Sequence, residues 1–147
     1  MERTVAIGIQ DFEKIRKHNC FYVDKTNFIK EWWDSADDVT LIARPRRFGK
    51  TLNISMLEQF FSAKYANRSD LFEGLFIWQQ EDYRQIQGTY PVISLSFARV
   101  KERDYHNTRD RICEIIRKLY VEHIYVRDSE RLTQAEKVYY DRNHKSQ

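Results

Sequence analysis

Apolar residues recur along this chain in two rhythms: helical spacings of three or four, and short unbroken runs. Phe12 and Ile15 stand three apart in QDFEKIRKH, which predicts a short helix. FYV follows as a brief β-prone run. Asp24 then reads as an N-cap before KTNFIKEWW, where Phe28, Ile29, Trp32 and Trp33 give a second helix a heavy apolar face. DSADD is polar and reads as a loop. VTLIA, residues 39–43, is a continuous apolar run of the kind a buried parallel strand requires. Beyond a basic stretch, KTLNISMLEQFFSAKY sets Leu52, Met56 and Phe60 in one helical row and Ile54, Leu57 and Phe61 in the next. SDLFEGLFIW predicts a short helix broken at Gly74, and YPVISLSFA a second strand with Pro91 at its start. Ile112, Ile115, Ile116, Leu119 and His123 share one face of a long helix. Thr133 and Glu136 have the spacing of a capping box that opens a last helix through Tyr140. Strands alternating with helices predict an α/β chain built on a short parallel sheet, although two strands are few for such a sheet.

Composition narrows the class without deciding it. The 147 residues suffice for one domain with a modest core. At 41% apolar and 32% charged, the chain has the balance of an ordinary globular protein. A formal charge of +3 is too mild to mark a dedicated nucleic-acid binder. Cys20 and Cys113 have neither zinc-ligand nor CxxC spacing and read as small core residues in a reducing compartment. His18, His106, His123 and His144 are scattered and make no metal spacing. MERTVAIGIQDF lacks the apolar stretch of a signal peptide, and no apolar run nears the ~20 residues of a membrane span. A cytoplasmic location without a membrane partner is expected.

The chemistry concentrates in LIARPRRFGKTLNIS, Leu41 to Ser55. A phosphate-binding loop needs a buried strand leading in and a helix leading out. It also needs backbone N–H groups curled round an anion, a lysine for the terminal phosphates and a hydroxyl for Mg²⁺. Gly49 would let the backbone approach a phosphate, Lys50 would supply the charge, and Thr51 the metal-facing hydroxyl. One position departs from the pattern GxxxxGKS/T: its first glycine is replaced by Arg44, and Pro45 after it has no N–H to give. Arg44, where the run of apolar residues ends, reads as structural. For Arg46 and Arg47 two readings stay open, a solvated basic turn or contacts to phosphate.

The segments IGIQDFEKIRKHNCFYVDKTNFIKEWW, LIARPRRFGKTLNISMLEQFF, LFEGLFIW and YPVISLSF, in that order, resemble the bacterial and archaeal AAA-ATPase-like family. The resemblance covers nearly the whole chain, and YVDKT together with RPRRFGKT is its most specific part. It implies a partial P-loop NTPase fold of AAA-like type, with RPRRFGKT in place of the ordinary Walker A loop. The departure at Arg44 matches that family's own pattern. It further implies ATP and Mg²⁺ as ligands, Arg46, Arg47, Phe48, Gly49, Lys50 and Thr51 as the nucleotide-binding residues, and Thr51 as the metal contact. Family members often carry a C-terminal region resembling PD-(D/E)XK nucleases, which would make nucleic acid a partner of that region.

Hydrolysis needs an acid at the end of a buried strand, to hold Mg²⁺ and position water. The resemblance puts a DEYD-like motif well downstream of the loop, and residues 1–147 contain none. Asp128 in HIYVRD follows an apolar run that Arg127 interrupts, and a helix leads into it, so it is a poor substitute. Residues 1–147 are therefore expected to be the N-terminal part of a larger ATPase domain, able to bind nucleotide and incomplete for hydrolysis. Asp24 is most simply a cap, with a site role left open by the resemblance. Trp32 and Trp33 read as core. Two other readings compete: a nucleic-acid contact module using Arg44, Arg46, Arg47 and Lys50, and a degenerate remnant kept as an interaction surface.

Overall fold

A computed structural model describes residues 4–5, 8–43, 45 and 48–145. The elements are helical: α1 (Phe12–Lys17), α2 (Asn27–Ser35), α3 (Lys50–Phe61), α4 (Glu81–Ile86), α5 (Tyr105–Glu122), α6 (Ile124–Arg127) and α7 (Gln134–Lys145), with 3-10 turns between α3 and α4. The chain divides into two compact units, Met1–Val92 and Ile93–Gln147.

The first unit is organised round aromatic side chains from α1, α3 and the turn that follows. Phe12 stacks on Phe72 at 5.2 Å, and Phe60 meets Phe72 edge-on at 5.0 Å. Phe12, Phe60 and Phe72 are fully buried, together with Ile29, Met56 and Ile77. Burial of such side chains stabilises by about 1.5–3 kcal/mol each, which is why the helical rows in the sequence find one another. Polar bonds set the register of α1 on α3. Asp11 caps α1 by accepting from the Glu13 N–H, and it also accepts from Gln59 Nε2 at 2.9 Å. The Phe12 N–H donates to Ser55 Oγ at 3.1 Å. The Arg16 guanidinium donates to the carbonyls of Leu71 and Glu73, tying α1 to the 3-10 turns. On α2, Trp33 stacks on Phe61 at 5.3 Å and Trp32 tilts against it, so both tryptophans belong to the edge of this core.

The expected parallel sheet is absent from the described residues. Two isolated bridges form, Val5 with Phe21 and Ser62 with Tyr90, and neither grows into a ladder. Residues 39–43 and 91–96 run without regular structure and carry exposed apolar side chains; Val39 is 85% and Leu41 86% exposed. The reason is physical. Apolar character specifies a strand only if neighbouring strands offer their N–H and C=O groups, and no ladder forms beside either run here. The α/β reading with its short parallel sheet is therefore corrected: among the described residues the regular elements are all helical. Asp24 is corrected too: α2 begins two residues later, with Thr26 in the N-cap position. The segment at Gly74 resolves into separate 3-10 turns at 69–71 and 76–79, with Gly74 between them at φ +77°.

In the second unit, α5 is capped by Asp104, whose carboxylate accepts the Asn107 N–H at 2.9 Å. The Thr133–Glu136 pair forms the reciprocal capping box of α7: the Thr133 N–H donates to Glu136 Oε2, and the Glu136 N–H to Thr133 Oγ1. α7 continues past Tyr140 to Lys145 and pairs with α5. There Tyr140 meets Tyr120 edge-on at 4.8 Å, and its hydroxyl donates to the Tyr120 carbonyl. Arg127 grips Asp141 through two bonds of 2.9 and 3.0 Å. Among the described residues no helix is long and apolar enough to cross a membrane.

Candidate functional site

The basic loop ends where α3 begins. Gly49 occupies the N-cap position in a left-handed conformation, φ +75° and ψ 19°, which glycine adopts without the Cβ penalty of other residues. Its carbonyl accepts the first helical bond, from the Asn53 N–H at 2.9 Å. Lys50 and Thr51 are the first two residues of the helix, Lys50 half-buried and Thr51 exposed; Phe48 is exposed before them. Asp11 and Asp104 cap α1 and α5 with carboxylates, whereas Gly49 supplies no side-chain cap to α3. This helix start therefore presents the positive end of the helix dipole without a carboxylate from its own cap. Phe48, Gly49, Lys50 and Thr51 follow one another across the start of α3. Arg44, Arg46 and Arg47 lie outside the described residues.

A second segment converges on the same place. A Cβ built on Gly49 would stand 3.9 Å from the Lys25 Nζ. Lys25 belongs to YVDKT, and its neighbours explain how it is held. The Asp24 carboxylate accepts from the Thr26 N–H at 2.8 Å, the Thr26 hydroxyl at 2.7 Å and the Phe76 N–H at 2.7 Å. Thr26, fully buried, accepts from the Ile77 N–H at 3.1 Å. Burial pushes the Asp24 carboxyl up, but the bonds from Thr26 and Phe76 outweigh it and hold it below the usual aspartate range. Tyr22 approaches the Lys25 N–H with its hydroxyl, whose own pKa burial pushes up to about 12. Asp24 and Thr26 thus face the turn at 76–77, and Lys25 between them stays exposed beside the loop.

Lys25 also lines a cleft of about 490 Å³ with Asn27, Phe28, Glu31, the run Thr40–Ala43 and Asn53. That volume is in the range of small-molecule sites. In the sequence, Asp24 stands out in this motif as a cap and Lys25 carries no role. No local pattern marks Lys25, whose place follows from the bonds of Asp24 and Thr26 to the Phe76 and Ile77 amides. Asp128 follows α6 and is bonded to Arg127, in no strand. Among the described residues no three His, Cys, Asp or Glu side chains are grouped to hold a metal ion.

The model of the family described as Predicted AAA-ATPase matches residues 6–146. The chain belongs to this AAA-ATPase-like family. A curated relative, the "Uncharacterized protein in vnfD 5'region" of Azotobacter chroococcum mcd 1, is 34% identical over 115 residues. The match covers 78% of this chain and 21% of that protein, so the chain spans about a fifth of the length of this relative. No solved structure matches the chain. Membership accounts for the sequence from the α1 segment through α7, including both YVDKT and the glycine–lysine–threonine start of α3.

Proposed function

We propose that this chain binds a nucleoside triphosphate, ATP in the first instance, with Mg²⁺, through a variant Walker A loop ending at Phe48, Gly49, Lys50 and Thr51. The observation that carries the reading is the left-handed Gly49 at the uncapped start of α3, followed at once by Lys50 and Thr51. Backbone amides at a helix start, a lysine and a hydroxyl are the groups a polyphosphate requires. The residues present fit such a ligand: Gly49 has no Cβ to obstruct it, and the Lys25 ammonium lies within 4 Å of where that atom would be. Lys50 would pair with phosphate oxygens, and Thr51 would offer its hydroxyl to Mg²⁺, which when bound neutralises phosphate charge. Arg46 and Arg47 join this reading on sequence grounds, as further cations on the phosphates.

Thermal melting with and without ATP–Mg²⁺ tests the proposal. Ligand at a hundredfold over its Kd adds about 2.7 kcal/mol of stability. The Lys50→Ala protein should lose the ATP-dependent rise in melting temperature that wild type shows. Equal ATP affinity in wild type and Lys50→Ala would sink the assignment.

A further inference from the structure

We propose that Lys25 is a second phosphate-binding cation, contributed by the YVDKT segment beside Gly49; the inference rests on the nucleotide reading of the loop. Its geometric basis is independent of Lys50. The Lys25 Nζ stands on the side of Gly49 that the missing Cβ leaves open, 3.9 Å from where that atom would be. This is the side from which a phosphate can approach the backbone.

The segment that carries Lys25 is anchored well beyond what an exposed lysine needs. Asp24 and the buried Thr26 fasten its two flanks to the backbone N–H groups of Phe76 and Ile77, about fifty residues away in the chain. Among the described residues no carboxylate forms an ion pair with Lys25. Glu31 lines the same cleft, and its Oε1 accepts from Asn27 Nδ2 at 2.6 Å. An ammonium held on a fixed backbone, beside an uncapped helix start, is placed to donate to an anionic oxygen with little further ordering cost. The Asp–Lys–Thr triplet then has one coherent purpose: its first and third residues fix the frame, and its second reaches the ligand.

Affinities of ATP and of inorganic tripolyphosphate, each with Mg²⁺, measured by calorimetry for wild type, Lys25→Gln, Lys25→Arg and Lys50→Ala, test the proposal. Lys25→Gln should weaken both ligands about tenfold or more, the scale of one charge-assisted hydrogen bond. Lys25→Arg should recover most of the loss, and the melting temperature of the unliganded Lys25 variants should stay at the wild-type value. Tripolyphosphate separates a phosphate contact from one to base or sugar: a Lys25→Gln deficit seen with ATP alone overturns the proposal. It is likewise overturned if Lys25→Gln binds within twofold of wild type while Lys50→Ala has lost binding, which leaves the nucleotide reading intact. Failure of the wild type to bind either ligand overturns the nucleotide reading itself, and this inference with it.

Discussion

The Asp24 carboxylate accepts the Phe76 N–H at 2.7 Å, joining the segment before α2 to the 3-10 turn that follows Gly74. Asp24→Ala leaves that amide, and the amide and hydroxyl of Thr26, without their acceptor. The expected cost is about 1–3 kcal/mol, read as a lower urea midpoint with an unchanged slope. Because Asp24 positions Lys25 without facing the loop, ATP affinity should fall too, and by less than in Lys25→Gln.

The same carboxylate gives stability a pH dependence. Its folded pKa lies below the aspartate norm, so its contribution is complete at pH values above the unfolded pKa of about 3.9. It is lost as the pH falls through the folded pKa. Glu13 and Asp70 are held low as well, through their bonds to Lys17 and Arg68, so the wild-type profile sums several groups. The difference between wild type and Asp24→Asn isolates one of them. That difference should be constant from pH 7 to about 5 and shrink below 4 in urea titrations. A difference that does not change with pH would show that the Asp24 charge contributes nothing.

Helices were legible in the sequence because their signals are local. The rows through Leu52, Met56 and Phe60, the break at Gly74 and the Thr133–Glu136 box each lie within a few residues of the structure they specify. The strands were misread because a strand is a non-local object: 39–43 has the composition of a buried strand without a ladder beside it. The start of α3 was legible, since Gly49-Lys50-Thr51 must sit at its first turn. Lys25 was not, because its approach to Gly49 depends on Asp24 and Thr26 finding amides some fifty residues on. Asp24 itself was misplaced by two residues because an aspartate before a helix usually caps it, and here Thr26 holds that position.

Two glycines separate conformational from steric demands. Gly74 and Gly88 both have positive φ, +77° and +68°. A Cβ on Gly74 meets nothing within 4 Å, whereas one on Gly88 would stand 2.3 Å from the Ala66 Cα. Gly88 is fixed there by its N–H bond to the Phe60 carbonyl at 2.8 Å. Gly74→Ala should therefore cost about 1–2 kcal/mol, the left-handed penalty alone. Gly88→Ala adds an overpacking cost of about 1–3 kcal/mol, since backbone rather than a flexible side chain must move. Equal losses in the two variants, measured by thermal melting, would mean that the 66–88 contact relaxes freely.

The exposed apolar runs predict association. Val39 and Leu41 are almost wholly exposed, and in the second unit Ile93 is 72% and Phe97 52% exposed. An extended, apolar stretch with unpaired backbone groups is a template for pairing with another chain. Soluble proteins keep such residues scattered singly, whereas here they fall at alternate positions of two short runs. Light scattering should show an apparent mass that rises with protein concentration. Charge at the edge opposes this pairing, so Val39→Lys and Ile93→Lys should each reduce the rise, and together reduce it more. Neither residue lines the cleft beside Lys25, so ATP affinity serves as a control that the variants remain folded. A wild-type mass that stays monomeric over a hundredfold range of concentration would remove the basis for this prediction.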